Sequence, residues 1–105
     1  MKSNNYPSIA IIGYGSMGHT LENVCKSKGI SIAKIYDIDN PLNQDDILDF
    51  DVAIDFSEPN AVFPNLEYLA SKRKNVVIGT TGWYERVDEA KKIAESNGIG
   101  VVWGS

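Results

Sequence analysis

Short apolar runs recur along the chain, each followed by a polar or glycine-rich turn and, in most cases, by a stretch with helical spacing. Ile9-Ala10-Ile11-Ile12 is apolar at every position, the pattern of a strand covered on both faces. Met17, Leu21, Val24 and Cys25 then recur at i, i+4, i+7 and i+8, which predicts one face of a helix, and Gly29 is its stop. The isoleucine-rich run Ile30 to Ile35 predicts a second strand ending near Tyr36. Asp37, Asp39, Asn40 and Pro41 signal a turn. Ile47, Leu48 and Phe50 fit a single helical turn, so the crossover over 37–50 is expected to be short or irregular.

Val52-Ala53-Ile54 predicts a third strand. Ser57 offers an N-cap and Pro59 a place in a first turn. Pro64 lies too deep for an uninterrupted helix from there, so either a short turn precedes a helix or the helix bends. Leu66, Leu69 and Ala70 mark its inner face. Val76-Val77-Ile78 is the clearest strand. A helix from about Tyr84 to Asn97, with Val87, Ala90 and Ala94 inward and Gly98 as stop, leads to a fifth strand over Ile99, Val101 and Val102 that ends at Trp103. Strands alternating with helices imply parallel pairing through right-handed crossovers. The expectation is an α/β, doubly wound parallel sheet in a single three-layer domain over 8–105, behind a loose tail over 1–7. Five strands are expected, in the order 3-2-1-4-5.

Composition narrows this picture. The chain has 105 residues, enough for one core, with 43% hydrophobic and 23% charged residues, as folded soluble domains have. No apolar run approaches the roughly 18–20 residues of a membrane span, and Met1 to Asn5 lacks the apolar stretch of a signal peptide. A single cysteine, Cys25, leaves no internal disulfide and no cysteine-cluster metal site, which points to the cytoplasm. It reads as a small core residue. The net charge is −4. The only basic patch, Lys72-Arg73-Lys74, reads as a solvated helix end, so nucleic acid is not expected as a partner. Acids crowd Asp45 to Asp55, but Asp51 and Asp55 have no histidine or cysteine beside them and read as a solvated face, not a metal site.

The chemistry lies in the glycines. Gly13-Tyr14-Gly15-Ser16-Met17-Gly18 is a GxGxxG between a buried strand and an amphipathic helix, the context this motif needs for dinucleotide binding and a Rossmann-type sheet. Gly13 permits the tight turn. Gly15 lets a pyrophosphate approach the backbone, and Gly18 lets the helix sit close to the strand. The helix N-terminus offers free N–H groups to phosphate. Asp37 lies nineteen residues past Gly18 and closes the second strand, where an acid accepts from the adenosine ribose. No arginine follows to grip a 2′-phosphate, which favours NAD over NADP. His19, the one histidine, reads as a first-turn residue on the helix surface. Asp55-Phe56-Ser57-Glu58-Pro59 and Gly79-Thr80-Thr81-Gly82-Trp83 follow the third and fourth strands, at the sheet end where ligands bind.

Asp55-Phe56-Ser57-Glu58-Pro59-Asn60-Ala61-Val62, then Val76-Val77-Ile78-Gly79-Thr80-Thr81-Gly82-Trp83, resembles the N-terminal domain of the dihydrodipicolinate reductase family, in the lysine and diaminopimelate pathway. The resemblance covers essentially 8–105. It implies that Gly13, Tyr14, Gly15, Ser16, Met17 and Gly18 bind the cofactor at its pyrophosphate and that Asp37 meets the adenosine ribose. It implies further that Phe56 and Ser57 line the groove, and that Gly79, Thr80 and Thr81 contact the nicotinamide end. Family members use NADH or NADPH and form a homotetramer built largely by a second, substrate domain. The residues that the family assigns to substrate chemistry would follow Ser105, so the resemblance implies no catalytic residue within 1–105 and binding without turnover. The first domain of an aspartate or homoserine dehydrogenase, and a non-enzymatic nucleotide-sensing module, are the alternatives.

Overall fold

The computed structural model describes residues 7–45 and 47–103. Residues 1–6 of the expected tail over 1–7, Asp46, and the last two residues lie outside that range. Five strands form one parallel sheet: β1 (Ile9–Ile12), β2 (Ile32–Tyr36), β3 (Val52–Asp55), β4 (Asn75–Ile78) and β5 (Val101–Trp103). Helix α1 (Ser16–Lys28) joins β1 to β2, α2 (Val62–Ser71) joins β3 to β4, and α3 (Val87–Asn97) joins β4 to β5. The predicted α/β architecture is present. Short 3₁₀ turns over Pro59–Ala61 and Tyr84–Arg86 lead into α2 and α3. The first of these resolves Pro64: it falls in the opening turn of α2, where its missing N–H breaks no helical bond. Ser57 is not a helix cap; Glu58 holds that position without a side-chain bond.

The strand order is β2-β1-β3-β4-β5, not 3-2-1-4-5. Among the described residues after β2 the chain makes only a 3₁₀ turn over Leu42–Gln44 before β3. It then returns to the open edge of β1, where the amides of Asp51 and Val52 both donate to the Ser8 carbonyl at 3.0 and 3.2 Å. β2 is left as an edge strand, which explains why it carries an exposed Ala33 and a half-buried Lys34. Leu42, Leu48 and Phe50 are buried beneath the returning segment without helical spacing.

The two faces of the sheet are covered unequally. Ala10, Ile12, Tyr36, Ala53, Val76 and Ile78 join Phe63, Leu66, Leu69 and Ala90 in one continuous core under α2 and α3. The other face meets α1, whose Gly18 lies against Ile11 and whose Gly18 and Cys25 are buried. Met17 and Val24 were expected on the inner face of α1 but are exposed, because Gly18 brings the helix down on a narrower strip. Cys25 is fully buried as expected, and burial pushes its thiol pKa up.

Register fixes what the site can be. Tyr36, Ile12, Asp55, Ile78 and Trp103 lie side by side in one row across the sheet. The residues after them therefore emerge at one level. Three backbone bonds extend the ladder past the strands: Gly13 N–H to Tyr36 O (2.9 Å), Phe56 N–H to Ile12 O (2.7 Å) and Gly79 N–H to Asp55 O (2.8 Å).

Candidate functional site

The site begins where β1 stops. Gly13 turns the chain with φ +90°, and a Cβ there would lie 2.7 Å from the Phe56 carbonyl group and 2.9 Å from the Ser57 nitrogen. Gly18 is equally constrained, since its Cβ would come within 2.5 Å of the Gly13 oxygen. Gly15 differs from both. A Cβ at Gly15 meets nothing within 4 Å, so the space above it is open. Gly15 caps α1 without a side-chain bond, and no acid stands in the first turn. The amides of Ser16, Met17 and Gly18 thus lack intrahelical acceptors and concentrate partial positive charge in front of that space.

Two adjoining grooves run along the strand ends. One, of about 450 Å³, is lined by Gly15 to Gly18, by Phe56 to Pro59 and by Gly79, Thr80 and Thr81. The other, of about 610 Å³, is lined by Gly13, Tyr14, Tyr36, Asp37, Ile38, Phe56, Ser57 and Asn65 among others. Phe56 and Ser57 belong to both. All twelve residues singled out in the sequence line one groove or the other. Two other surface grooves, of about 570 and 560 Å³, are smaller than the second of these. The groove of about 570 Å³ between α1 and the edge strand β2 is lined by Glu22, Lys26 and Lys34 with apolar neighbours, and it lies away from the row of strand ends.

Individual side chains depart from a simple lining role. Tyr14 lies over Gly18, stacks on His19 with centroids 3.7 Å apart, and donates its hydroxyl to Glu22. His19 is exposed in the first turn as expected, its Nδ1 2.9 Å from the Gly15 oxygen. Asp37 uses Oδ1 to accept from the amides of Asp39 (3.0 Å) and Asn40 (2.9 Å), which fixes the turn and leaves Oδ2 without a protein donor among the described residues. The Thr80 hydroxyl is turned inward and donates to the Ser57 oxygen at 2.7 Å. Thr81 is exposed. Trp83 is buried and donates Nε1–H to the Thr80 oxygen at 2.7 Å, locking the loop from below. Gly79 lies against the Phe56 ring, so closely that a Cβ would overlap it at 2.3 Å.

Asp55 corrects the sequence reading. It is not on a solvated face: it is 1% exposed, at the end of β3 on the α2 side. Its Oδ1 accepts from the Ser57 amide at 2.7 Å and its Oδ2 from Asn65 Nδ2 at 3.2 Å. Burial raises its pKa, while the bonds from Ser57 and Asn65 oppose that. Asn65 and Ile38 were missed altogether. Asn65 had no signal, being one polar residue on α2. Ile38 had one: an isoleucine directly after the acid, in a turn, and it stands 94% exposed at the lip of the larger groove. No group of three or more metal-ligating side chains occurs among the described residues.

A parallel sheet with a glycine-rich first turn, an open helix N-terminus and an acid at the end of the second strand defines a Rossmann-type domain. Solved structures share that fold. Biliverdin reductase from Synechocystis, solved with biliverdin and NADP+, matches at TM-score 0.73 and 13% identity over 91% of this chain and 37% of that one. Aspartate semialdehyde dehydrogenase II from Vibrio cholerae matches at TM-score 0.68 and 12% identity, over 93% and 38%. Sequence similarity is more specific. The model of "Dihydrodipicolinate reductase, N-terminus" matches residues 7–105, and the chain belongs to that family. The 4-hydroxy-tetrahydrodipicolinate reductase of Christiangramia forsetii is 36% identical over 100 residues, covering 93% of this chain and 41% of that protein. The enzyme of that name from Bifidobacterium longum subsp. infantis is 33% identical over 92 residues, covering 86% and 37%. The chain spans well under half the length of these curated relatives.

Proposed function

We propose that this chain binds the nicotinamide dinucleotide of a 4-hydroxy-tetrahydrodipicolinate reductase. The observation that carries this is the open space over Gly15, in front of three unpaired helix amides and between two grooves that meet at Phe56 and Ser57. The amides of Ser16, Met17 and Gly18 would hold the pyrophosphate. Asp37 Oδ2 would accept from the adenosine ribose, with Ile38 against the adenine. Gly79, Thr80 and Thr81 would lie along the nicotinamide end. When bound, the reduced nicotinamide supplies a hydride, which in this family of enzymes goes to the dihydrodipicolinate-type intermediate to give tetrahydrodipicolinate. The role of these residues is to fix which ring face is presented and to keep phosphate charge on backbone dipoles.

Turnover is not expected from residues 1–105. The groove around Gly15 and Gly79 contains one ionisable side chain, Glu58, and no cation to hold a substrate carboxylate. The proposal places the protein in the cytoplasm, with the homotetramer belonging to the complete enzyme.

Titration with NADH, followed by its fluorescence, tests the reading. Binding is expected, and Gly15→Ala should weaken it at least tenfold while lowering stability by no more than about 1 kcal/mol, since the added methyl meets no protein atom. Nucleotide-insensitive behaviour of the folded wild-type chain would overturn it and favour a module with another partner. Asp37 gives a second measure. NADH should bind several-fold more tightly than NADPH, whose 2′-phosphate would face this carboxylate. In Asp37→Ala the preference should disappear; a preference that survives it would remove Asp37 from the adenosine site.

A further inference from the structure

We infer that Asp45, which lines neither groove of the dinucleotide site, is a positioning residue for Asp37 and so sets the preference between NADH and NADPH. This deepens the dinucleotide reading above and rests on it.

The turn that carries Asp37 is held by side chains as much as by backbone. Its near end is closed by the Asp37 N–H to Asn40 O bond (3.1 Å) and the Asn40 N–H to Asp37 O bond (3.2 Å). Asn40 ties that end back to β2 by donating Nδ2–H to the Ile35 oxygen at 3.1 Å, and Gln44 donates to the Asn40 side-chain oxygen. The far end is closed by Asp45. Its Oδ2 accepts from the Tyr36 hydroxyl at 2.9 Å, and its carbonyl oxygen accepts from the Tyr68 hydroxyl on α2. Tyr36 directly precedes Asp37 and stands nine positions before Asp45. Their side-chain bond therefore closes residues 36–45 into a ring, and Tyr68 fastens that ring to α2. Tyr36 is 2% exposed, and a buried phenol left without its partner is costly, which keeps the bond made. Lys34 lies 3.5 Å from the same carboxylate oxygen, but the pair is partly exposed and adds little.

The ring supplies one side of the cofactor site. Tyr36, Asp37, Ile38, Asp39, Pro41 and Leu42 lie within it and line the larger groove. Asp37 uses Oδ1 for the turn and keeps Oδ2 for a ligand. Specificity is a difference between two affinities, and here the repulsive element is a carboxylate facing a 2′-phosphate. Such an element discriminates only while it cannot swing aside. With the ring closed, Asp37 stays in place. With it open, the ribose loses a fixed acceptor and the 2′-phosphate gains room.

Fluorescence titration with NADH and with NADPH tests this on the 105-residue chain. Asp45→Ala keeps the carbonyl that Tyr68 holds and removes only the side-chain bond. It should weaken NADH about fivefold and leave NADPH within about twofold, in line with the loss of one hydrogen bond. Asp45→Asn, whose amide oxygen still accepts from Tyr36, should keep the wild-type ratio. Tyr36→Phe should reproduce Asp45→Ala, and the double variant should be no worse than either, because both cut the same bond. Lys34→Ala should keep the wild-type ratio. Equal weakening of NADH and NADPH in Asp45→Ala would leave Asp45 a purely structural residue and overturn the inference. So would an unchanged ratio, or a loss in Lys34→Ala that matches it. Should Asp45→Ala fail to fold, Tyr36→Phe decides the matter by the same ratio. The two readings fail separately. A folded wild type that binds neither cofactor ends both, whereas a preference that Asp37→Ala abolishes and Asp45→Ala preserves ends only this one.

Discussion

Gly13→Ala is expected to cost about 3–5 kcal/mol of stability, enough to leave much of a marginally stable domain unfolded. Two terms add. The φ of +90° is strained for any residue with a Cβ. The new methyl would also stand 2.7 Å from the carbonyl carbon and oxygen of Phe56, which are backbone and have no rotamer to escape into. Phe56 cannot retreat easily either, because its amide is bonded to the Ile12 oxygen at 2.7 Å. Forced overpacking of this kind typically costs 1–3 kcal/mol or more. Urea denaturation of the 105-residue chain measures it. An unfolding free energy within about 1 kcal/mol of wild type would mean that the β1 turn and the Phe56 segment are not packed as described. The contrast with Gly15→Ala matters most: two glycines of one motif, two positions apart, should fail in different ways, one in folding and the other in binding.

Trp83→Ala is expected to destabilise by about 3–5 kcal/mol, the usual cost of deleting a buried aromatic ring. The ring is 3% exposed and meets Phe63 and Trp103 edge-on, with centroids 6.1 and 5.7 Å away. Its loss also removes the Nε1 bond to the Thr80 oxygen. Trp83→Phe separates the two contributions, since it keeps most of the packing and loses the hydrogen bond; about 1–2 kcal/mol is expected. Thermal and urea unfolding of both variants decide it. If Trp83→Ala melts near wild type, the tryptophan is not the support of the 79–82 loop. Where the alanine variant still folds at low temperature, NADH should bind it more weakly, because the loop that follows β4 has lost its anchor.

Much of this was legible in the sequence, for identifiable reasons. Strands buried on both faces must be apolar at successive positions, so Ile9–Ile12, Val52–Ile54 and Val76–Ile78 announced themselves. The glycine motif was legible because backbone approach leaves no alternative residue at Gly13 or Gly18. The strand order was not legible. Residues 37–51 have no period, and nothing local says on which edge of β1 the next strand docks; the deciding bonds run from Asp51 and Val52 to Ser8. Helical spacing found the buried side of α1 but not its width, so Met17 and Val24 were placed inside. Asp55 was misjudged because an acid among acids looks solvated, and only the register shows it between Ile12 and Ile78.

The three bonds that carry the ladder past the strands have a consequence for how the domain can vary. Gly13, Phe56 and Gly79 are each tied across to the neighbouring strand end or loop, so the floor of the groove is one residue deeper than the strands themselves. Local opening that frees any of these amides must break a bond of the sheet, not of a loop. Insertions and deletions, which surface connections absorb cheaply, therefore have no room at 13, 56 or 79. They find it further out, in the turn over 37–45 and in the segment over 81–86. The length of those outer segments is free to adjust how the groove closes, while the floor beneath it stays constant.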